Sequence, residues 1–408
     1  MTNIADTAEK STQSTARPLS SLPAGSPLGQ ALTQPLLLGL FLPIHNGGWT
    51  MSTLPRDTDW SFDYNAALTR QAEQLGFELA FGPAHWLSKG GFGGETRYRE
   101  QSLDAFIATS ALAAVTSRIL LISTIHILYG PWHPLHLAKF GATLDHIAKG
   151  RWGLNIVTGF RKDEWAMFGQ QQIGHDERYQ VANEFIDVLS ALWSSEDNLD
   201  YDGKHWHLKQ AFVTPKPQYG RPILVSATSS PAGIASAVRH SDLIFITSPV
   251  GARFDKAITA LPELNARVKQ QAAAAGRDVR TLINPMIICR DTEREAREVY
   301  QAILDKADQG AIEGFFRTHA TGDSQSWRGH ERDERVVGGN IQLIGTPEKI
   351  VDQLLQLKAA GCDGIQLCFF DYVSELAYFG ERVIPLLEQA GLRHPVAPLS
   401  PSSLTLAA

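Results

Sequence analysis

Eight short apolar segments, each long enough for one β-strand, recur along the chain with amphipathic segments between them. Most of their residues are apolar, without alternation of apolar and polar positions, which is typical of strands buried on both faces of a parallel sheet. Such strands alternating with helices favour an α/β architecture. The eight segments are 36–42, 77–82, 119–124, 152–158, 223–226, 242–247, 283–289 and 364–369.

The number and order of these segments predict an α/β fold of the (β/α)8 TIM-barrel type. Helical periodicity supports this fold, since apolar residues recur three or four positions apart in 134–149, 176–193 and 347–360. An open doubly wound sheet is the alternative, but the sequence after the first segment, PIHNGGWT, lacks the glycine pattern of a dinucleotide site. Long connections predict insertions after strands 2, 4 and 7, at 83–102, 194–221 and 309–340.

The two ends of the chain differ in composition from the rest. Residues 1–34 are rich in Ser, Thr, Ala, Gln and Pro, so we predict a disordered N-terminal tail there. They also lack the basic start and continuous apolar stretch of a secretory signal. Residues 395–408 predict a shorter, flexible C-terminal tail, which leaves 35–394 as the barrel domain.

The composition excludes several classes of protein. Hydrophobic residues make up 43% of the chain and charged residues 20%, which excludes a disordered protein. The net charge of −6 argues against a nucleic-acid partner. The three cysteines form no C-x-x-C motif, and no apolar run reaches the roughly 18 residues of a membrane span. We therefore expect a cytoplasmic protein without a disulfide framework, a structural zinc or a membrane contact.

Three polar residues stand at or near the ends of predicted strands. His85 follows the second strand, Thr124 ends the third, and Asn155 lies within the fourth. Because the C-terminal strand ends of a barrel carry the active site, His85 is a candidate catalytic residue, although a packed or solvent-facing loop histidine fits equally. Asn155 requires hydrogen bonds in a buried strand, as a satisfied structural amide or as a ligand contact. No carboxylate stands at metal-ligand spacing from the histidines at 126, 133 and 136, so no metal site is predicted.

A predicted helix start follows the fifth strand, in the sequence ILVSATSSPAGI at 223–234. Ser230 is a candidate N-cap, and Pro231 suits the first helical position. The free N–H groups and partial positive charge of a helix N-terminus favour a phosphate, so we expect a phosphate ligand near Ser229 and Ser230. The sequence HDERY precedes another helix, where Arg178 can pair with Glu164 or with a ligand anion.

These segments resemble the flavin-dependent monooxygenases of the bacterial luciferase-like superfamily. The subgroup that holds pyrimidine oxygenase and dimethylsulfone monooxygenase is the most similar. The resemblance covers roughly residues 37–392 and rests on the order and spacing of seven stretches. They are FLPIHNGGW at 41–49, GGFGG at 90–94, AAVTSRI at 113–119, NIVTG at 155–159, HDERY at 175–179, LIGTP at 343–347 and FGERVIPLL at 379–387.

The resemblance implies a (β/α)8 barrel that binds reduced FMN and uses O2 to oxygenate a small organic substrate. Sulfones and heterocyclic amides are the implied substrate types. The same resemblance implies that a separate NAD(P)H:flavin reductase supplies the reduced FMN. We also expect a homo-oligomer. The alternatives are a dehydrogenase that uses the deazaflavin F420 on the same barrel, and a non-catalytic flavin-binding protein.

Individual residues match functional positions of the superfamily. Ala84 and His85 match the flavin-contacting pair after strand 2, and His85 stands where luciferase has its catalytic histidine, although the pyrimidine and sulfone enzymes have another basic residue there. Thr124 and Asn155 match the polar pair beside the reacting face of the flavin, which is linked to oxygen activation. The implied catalytic residues are therefore His85, Thr124 and Asn155. The further implied flavin contacts are Glu164, Arg178 and Tyr179, with Ser229 and Ser230 on the phosphate side.

One departure bears on the substrate. Alkanesulfonate monooxygenases have an Arg-x-His pair in strand 7, where this chain reads INPMIIC. A sulfonate needs cationic partners, so the sequence gives a sulfonate substrate less weight.

Overall fold

Eight parallel strands close into a barrel in this computed structural model, which describes residues 19–23, 25–320, 322 and 329–397. In that part of the chain the strands are β1 (Leu37–Phe41), β2 (Leu79–Gly82), β3 (Leu120–His126), β4 (Trp152–Val157), β5 (Leu199–Asp202), β6 (His207–Ala211), β7 (Ile223–Ala227), β8 (Leu243–Phe245), β9 (Arg280–Ile283), β10 (Pro285–Cys289), β11 (Ile341–Gly345) and β12 (Gly364–Phe369).

Helices lie between the strands and surround the barrel. They are α1 (Pro27–Ala31), α2 (Phe62–Gln74), α3 (Ala105–Leu112), α4 (Pro134–Ile147), α5 (Lys162–Met167), α6 (His175–Ser194), α7 (Pro231–His240), α8 (Phe254–Ala274), α9 (Glu293–Asp305), α10 (Gln309–Ala320), α11 (Arg332–Val337), α12 (Pro347–Ala359), α13 (Tyr372–Arg382) and α14 (Ile384–Gln389). None of the described helices combines the length and the apolar composition that a membrane crossing requires.

The barrel closes where the first strand meets the last. β1 pairs in parallel with β12, with Leu37 opposite Gly364, and with β2, with Gly39 opposite Leu79. The ring then continues through β3, β4, β7, β8 and β9 back to β12. The predicted (β/α)8 barrel is therefore confirmed, and the C-terminal ends of its strands form one rim.

The seventh strand is broken at Asn284. β9 lies in the ring between β8 and β12, whereas β10 continues beyond the break and pairs with β12 and β11. The predicted segment 283–289 covers β10 and misses most of β9. Arg280 and Thr281 interrupt the apolar pattern there. Thr281 can nevertheless be fully buried, because its hydroxyl is satisfied by donating to Asn265 Oδ1 over 2.6 Å.

The insertions follow the second, fourth and seventh strands of the barrel, as the sequence predicts. These strands are β2, β4 and the broken strand of β9 and β10. The connection after β2 contains no helix or strand before α3. The second insertion contains the antiparallel hairpin of β5 and β6. The third contains α10 and α11 and leads into β11, a strand that the sequence analysis did not foresee.

The first and third insertions pack on each other. The Asp308 carboxylate accepts hydrogen bonds from the backbone N–H groups of Glu95, at 3.2 Å, and Thr96, at 2.8 Å. Gly314 of α10 lies against the Phe92 carbonyl, and a Cβ at this position would lie 1.6 Å from that oxygen. The GGFGG segment and α10 therefore form one cover beside the strand ends, and glycine is required where they touch.

The predicted disordered tail over 1–34 is wrong for the residues that the structure describes there. Ser26 caps α1 by accepting from Gly29 N–H at 3.1 Å, and Leu28 and Ala31 are buried. A helix of one turn is too short to show apolar periodicity in the sequence. Residues 1–18 and 24 lie outside the described residues, as do 398–408 of the predicted C-terminal tail.

A buried ion pair closes the opposite end of the barrel. The Arg393 guanidinium donates to both carboxylate oxygens of Glu78, at 2.6 and 2.9 Å, and to the carbonyl oxygens of Leu36 and Gly76. Glu78 Oε2 also accepts from Leu38 N–H at 2.8 Å. Both side chains are buried, so the C-terminal segment is fastened to the starts of β1 and β2.

Breaking the ion pair between Glu78 and Arg393 should lower the stability of the protein. We expect Arg393→Met to lower the free energy of unfolding by about 3–5 kcal/mol, because it leaves the Glu78 carboxylate buried without its cation. Arg382→Met, which removes a half-exposed partner of Asp291 at 3.1 Å, should cost less than about 1 kcal/mol. Urea unfolding of both variants measures the difference, and equal small losses would contradict a locking role for Arg393.

Candidate active site

Thr124 and Asn155 face each other at the C-terminal ends of β3 and β4. The strand register pairs them directly, and Asn155 Nδ2 donates to Thr124 Oγ1 over 3.0 Å. Both side chains are buried and line a cavity in the mouth of the barrel. Asn155 Oδ1 has no hydrogen-bond partner among the described residues, so this acceptor is available to a ligand.

The barrel-mouth cavity has an aromatic floor and a polar wall. Ring centroids of Phe41 and Phe81 lie 4.7 Å apart, those of Phe81 and Phe245 lie 4.9 Å apart, and Trp49 packs 4.5 Å from Phe41. Such close edge and tilted contacts give a rigid apolar surface. The cavity is lined by Phe41, Trp49, Phe81, Pro83, Ala84, Thr124, Asn155, Ala227, Thr228, Phe245, Thr247, Asn284 and Asn340.

The sequence analysis missed two asparagines of this wall. Asn284 occupies the break between β9 and β10, and its carbonyl accepts from Asn340 N–H at 2.9 Å. The side-chain oxygens of both are buried and have no partner in the described part of the chain. Asn284 stands among apolar residues, as Asn155 does, and that signal was available in the sequence.

A second cavity begins at the N-terminus of α7. Ser230 caps this helix by accepting from Gly233 N–H at 3.1 Å, and Pro231 takes the first helical position, which confirms the predicted helix start. Arg178 and Tyr179 of α6 also line this helix-start cavity, and Arg178 is buried. The arrangement offers a cation and a helix N-terminus to an anionic group.

The two cavities meet at Ala227 and Thr228, which line both of them. Their volumes are about 170 Å³ at the barrel mouth and 210 Å³ at the helix start. Each is below the roughly 300 Å³ of a typical ligand pocket, whereas together they reach that range. The two adjacent cavities together therefore offer a space of ligand size that reaches from the barrel mouth to the N-terminus of α7.

Gly233 keeps the helix-start cavity open. A Cβ at this position would lie 1.8 Å from Thr228 Oγ1 and 2.6 Å from the Tyr179 hydroxyl. Tyr179 and Thr228 themselves lie 3.5 Å apart through their hydroxyl oxygens. The space between the helix start and these hydroxyls thus depends on the missing side chain.

Ala84 and His85 follow β2, as predicted, but only Ala84 lines the barrel-mouth cavity. His85 lies behind it, with its ring 5.0 Å from the ring of His45. Burial lowers the pKa of both histidines well below 6.5, and the Arg99 guanidinium adds to the effect. His45, which the sequence analysis did not single out, is fully buried, and neither ring nitrogen has a partner among the described residues.

Glu164 lies apart from both cavities. Its carboxylate accepts from Trp86 N–H at 3.0 Å, from the Tyr129 hydroxyl at 2.9 Å and from Arg161 Nη1 at 3.3 Å. The side chain is buried, and protein donors surround both oxygens. The structure therefore places Glu164 where it holds the segment that contains His85, away from the ligand space that the sequence analysis assigned to it.

Comparison with known proteins identifies the family of this chain. The family model for luciferase-like monooxygenase matches residues 37–364. The chain belongs to the luciferase-like monooxygenase family. The resemblance inferred from the sequence motifs is thus confirmed.

Curated relatives within this family match nearly the whole chain. The FMNH(2)-dependent dimethylsulfone monooxygenase of Pseudomonas fluorescens is 32% identical over 366 residues, which cover 87% of this chain and 95% of the relative. Pyrimidine monooxygenase RutA of Acinetobacter baylyi is 31% identical over 387 residues, which cover 90% and 100%. The crystal structure of DmoA from Hyphomicrobium sulfonivorans superposes with a TM-score of 0.75 at 20% identity, covering 90% of this chain and 91% of that one, and so supports the fold.

The lowered pKa values of the buried histidines predict how the free energy of unfolding depends on pH. An unfolded histidine takes up a proton near pH 6.5, whereas burial keeps the pKa of His45, His85 and His126 lower in the folded protein. Below pH 6.5 the unfolded state therefore binds more protons, and the free energy of unfolding should fall as the pH falls, by up to about 1.4 kcal/mol per pH unit for each such histidine.

Urea unfolding at pH 8, 6.5 and 5.5 measures this slope. His45→Gln should make the decrease below pH 6.5 shallower by the share of one histidine. An unchanged slope would show that folding does not lower the pKa of His45.

Proposed function

We propose that this luciferase-like monooxygenase uses reduced FMN and O2 to oxygenate a small organic substrate of the sulfone or heterocyclic amide type. The joined cavity carries the proposal, because it runs from a helix N-terminus suited to a phosphate to a polar pair at the barrel mouth. The names of the relatives agree, since one depends on FMNH2 and acts on dimethylsulfone and the other acts on pyrimidines.

The residues at the two ends of the cavity fit the two ends of FMN. Ser229, Ser230 and the first turn of α7 would hold the phosphate, with Arg178 and Tyr179 beside it. Ala84, Thr124 and Asn155 would contact the ring system over the aromatic floor. When bound, the reduced flavin supplies the electrons that activate O2.

The protein contributes position, hydrogen bonds and exclusion of water. Thr124 Oγ1 accepts from Asn155, so its own O–H is left to donate into the cavity, while Asn155 Oδ1 accepts a ligand N–H. The Thr124 O–H, oriented by Asn155, is a preorganised donor that stabilises negative charge developing on oxygen, and such donors act strongly in a water-poor site. Asn155 Oδ1 instead orients the ligand through its N–H. Glu164 acts through Trp86 N–H by positioning the segment of Ala84 and His85.

The proposal includes a separate NAD(P)H:flavin reductase as the source of reduced FMN. It also includes a cytoplasmic location and a homo-oligomer. The cysteines at 289, 362 and 368 are buried free thiols, which a reducing compartment maintains.

Filling the space beside Gly233 at the N-terminus of α7 should weaken binding of the FMN phosphate. We expect Gly233→Ala to weaken FMN binding by about tenfold or more, because the added Cβ displaces Thr228 and Tyr179. Riboflavin, which lacks the phosphate, should lose less affinity. Gly174→Ala is the matched control at the start of α6, since a Cβ there meets nothing within 4 Å. Flavin fluorescence titration measures all three proteins, and equal losses for FMN and riboflavin would contradict a phosphate at this position.

Replacing Asn155 should affect oxygenation more than binding. We expect Asn155→Leu still to bind reduced FMN, while product formed per flavin oxidised falls about a hundredfold, because the pair with Thr124 is lost and the mouth is crowded. Thr124→Ser keeps the hydroxyl and should retain most of the yield.

Rapid mixing of each protein–FMN complex with O2, with product analysis, makes the measurement. Wild-type yield in Asn155→Leu would reduce Asn155 to a structural amide. Reduction of F420 by an alcohol in place of FMN-dependent oxygenation would favour the dehydrogenase alternative.

A further inference from the structure

Asn284 and Asn340 together form one wall of the barrel-mouth cavity, called here the amide wall. Asn284 fills the break between β9 and β10, and its carbonyl accepts from Asn340 N–H at 2.9 Å, so the two residues are neighbours. Both line the cavity. In the ring of eight strands β9 stands opposite β3, with three strands between them on either side. The amide wall therefore lies across the mouth from Thr124.

The hydrogen-bonding groups of the amide wall are not all satisfied by the protein. Asn284 is only 1% exposed and its Nδ2 donates to Cys368 Sγ over 3.6 Å, but its Oδ1 has no partner among the described residues. Asn340 Oδ1 and the indole N–H of Trp49, which lines the same cavity, are also buried without a partner in that part of the chain. Buried polar groups are nearly always hydrogen-bonded, because an unpaired group loses its hydration without compensation. Two free acceptors and a free donor around one cavity point to a ligand that pairs with them.

A tight turn fixes Asn340 in the amide wall. The two residues before it, Gly338 and Gly339, have φ of +91° and +77°. A Cβ on Gly338 would lie 2.0 Å from the Trp49 carbonyl oxygen, and one on Gly339 would lie 2.6 Å from Met286 N. The turn therefore packs against both Trp49 and the start of β10, and it holds Asn340 half-buried at the edge of the mouth. Groups held in place by such packing can discriminate between ligands.

The chemistry of the amide wall matches an amide in the ligand. A primary amide carries an acceptor oxygen beside an NH2 donor, so its complement is a group with an N–H beside a carbonyl. A cyclic amide presents these two on one edge, where the N–H can donate to an asparagine oxygen and the carbonyl can accept from Trp49 N–H. A sulfone has acceptor oxygens and no donor, so it would leave the oxygens of Asn284 and Asn340 unpaired.

The amide wall lies on the side of the mouth that the proposed flavin contacts leave open. Ala84, Thr124 and Asn155, which would contact the flavin ring, follow or belong to β2, β3 and β4. Asn284 and Asn340 stand at β10 and β11, on the other side of the ring of strands. A second molecule in the mouth beside the flavin ring would therefore meet the amide wall.

We propose that Asn284 and Asn340 determine substrate specificity by accepting the N–H edge of a heterocyclic amide, whose carbonyl accepts from Trp49 N–H. This inference rests on the proposed function and narrows its substrate class from sulfones and heterocyclic amides to the amides. A site built to hydrogen-bond a substrate N–H strongly rejects analogues that lack it, because the polar groups of the site are then left unpaired.

The test compares compounds with and without the N–H on the protein–FMN complex. One pair is uracil and 1,3-dimethyluracil, and the other is glutarimide and thiane 1,1-dioxide, a cyclic sulfone whose ring has the same size. Calorimetric titration of the wild-type complex should show at least about tenfold tighter binding of the N–H-bearing member in both pairs. A methylated or sulfone compound that binds as tightly as its partner would overturn the proposal, and so would a failure of both amides to bind.

Variants of the amide wall locate the effect. Asn340→Ala, at a half-buried position, should fold normally and lose most of the preference for the N–H-bearing compounds, and Asn284→Ala should also reduce it. The matched control is Asn198→Ala in the exposed hairpin, where Asn198 Nδ2 donates only to Gln210 Oε1 at 3.0 Å. An unchanged preference in Asn340→Ala, or an equal loss in Asn198→Ala, would overturn the assignment to the amide wall.

Flavin fluorescence titration of each protein is the separate readout. The FMN affinity of Asn340→Ala should stay close to that of the wild type, since the proposed flavin contacts are untouched. A parallel loss of FMN and uracil affinity would place the amide edge of the flavin itself on this wall and overturn the assignment to the substrate. Failure of the wild-type protein to bind FMN would instead refute the proposed function.

Discussion

The pairing of β1 with β12 is the contact on which the rest of this molecule depends, because it turns an open sheet into a ring. At this seam Gly39 lies opposite Gln366, and a Cβ on Gly39 would lie 1.9 Å from Gln366 Oε1. Gln366 is fully buried, so glycine provides the space that lets the last strand reach the first. Only after closure do the strand ends form a continuous rim around one cavity.

The register of the strands determines which side chains meet at the rim. Thr124 and Asn155 are 31 residues apart in sequence, and parallel pairing brings their side chains within hydrogen-bond distance. Because they stand on strands packed against an aromatic floor, their geometry exists before any ligand arrives. Groups held in this way need little reorganisation when charge develops beside them.

Apolar patterning was sufficient to predict the barrel, because strands buried on both faces consist mostly of apolar residues. It failed where polar residues are buried with partners, as in β9, where Thr281 donates to Asn265. Local physics also predicted the cap at Ser230, because a cap depends on neighbours in sequence. The fold of α1 onto the barrel depends instead on contacts with distant segments, which one turn of sequence does not reveal.

The candidate site divides in the same way. Position marked Asn155 and Thr124 as polar residues at strand ends, and the family resemblance assigned them to the flavin. Asn284 and Asn340 reach the barrel-mouth cavity through a broken strand and a loop, and His45 meets His85 from another loop, so no local pattern connects these residues. The family resemblance placed Glu164 on the ligand, whereas its hydrogen bonds to Trp86, Tyr129 and Arg161 occupy it within the protein.

The contact between the GGFGG segment and α10 has a consequence for the evolution and redesign of this scaffold. The Asp308 carboxylate and Gly314 fasten two insertions that are more than 200 residues apart in sequence. Exchanging or lengthening one insertion alone would break its contacts with the other insertion. New substrate ranges should therefore arise by paired changes in the two insertions, and loop grafting between homologues should succeed only when both are transferred together.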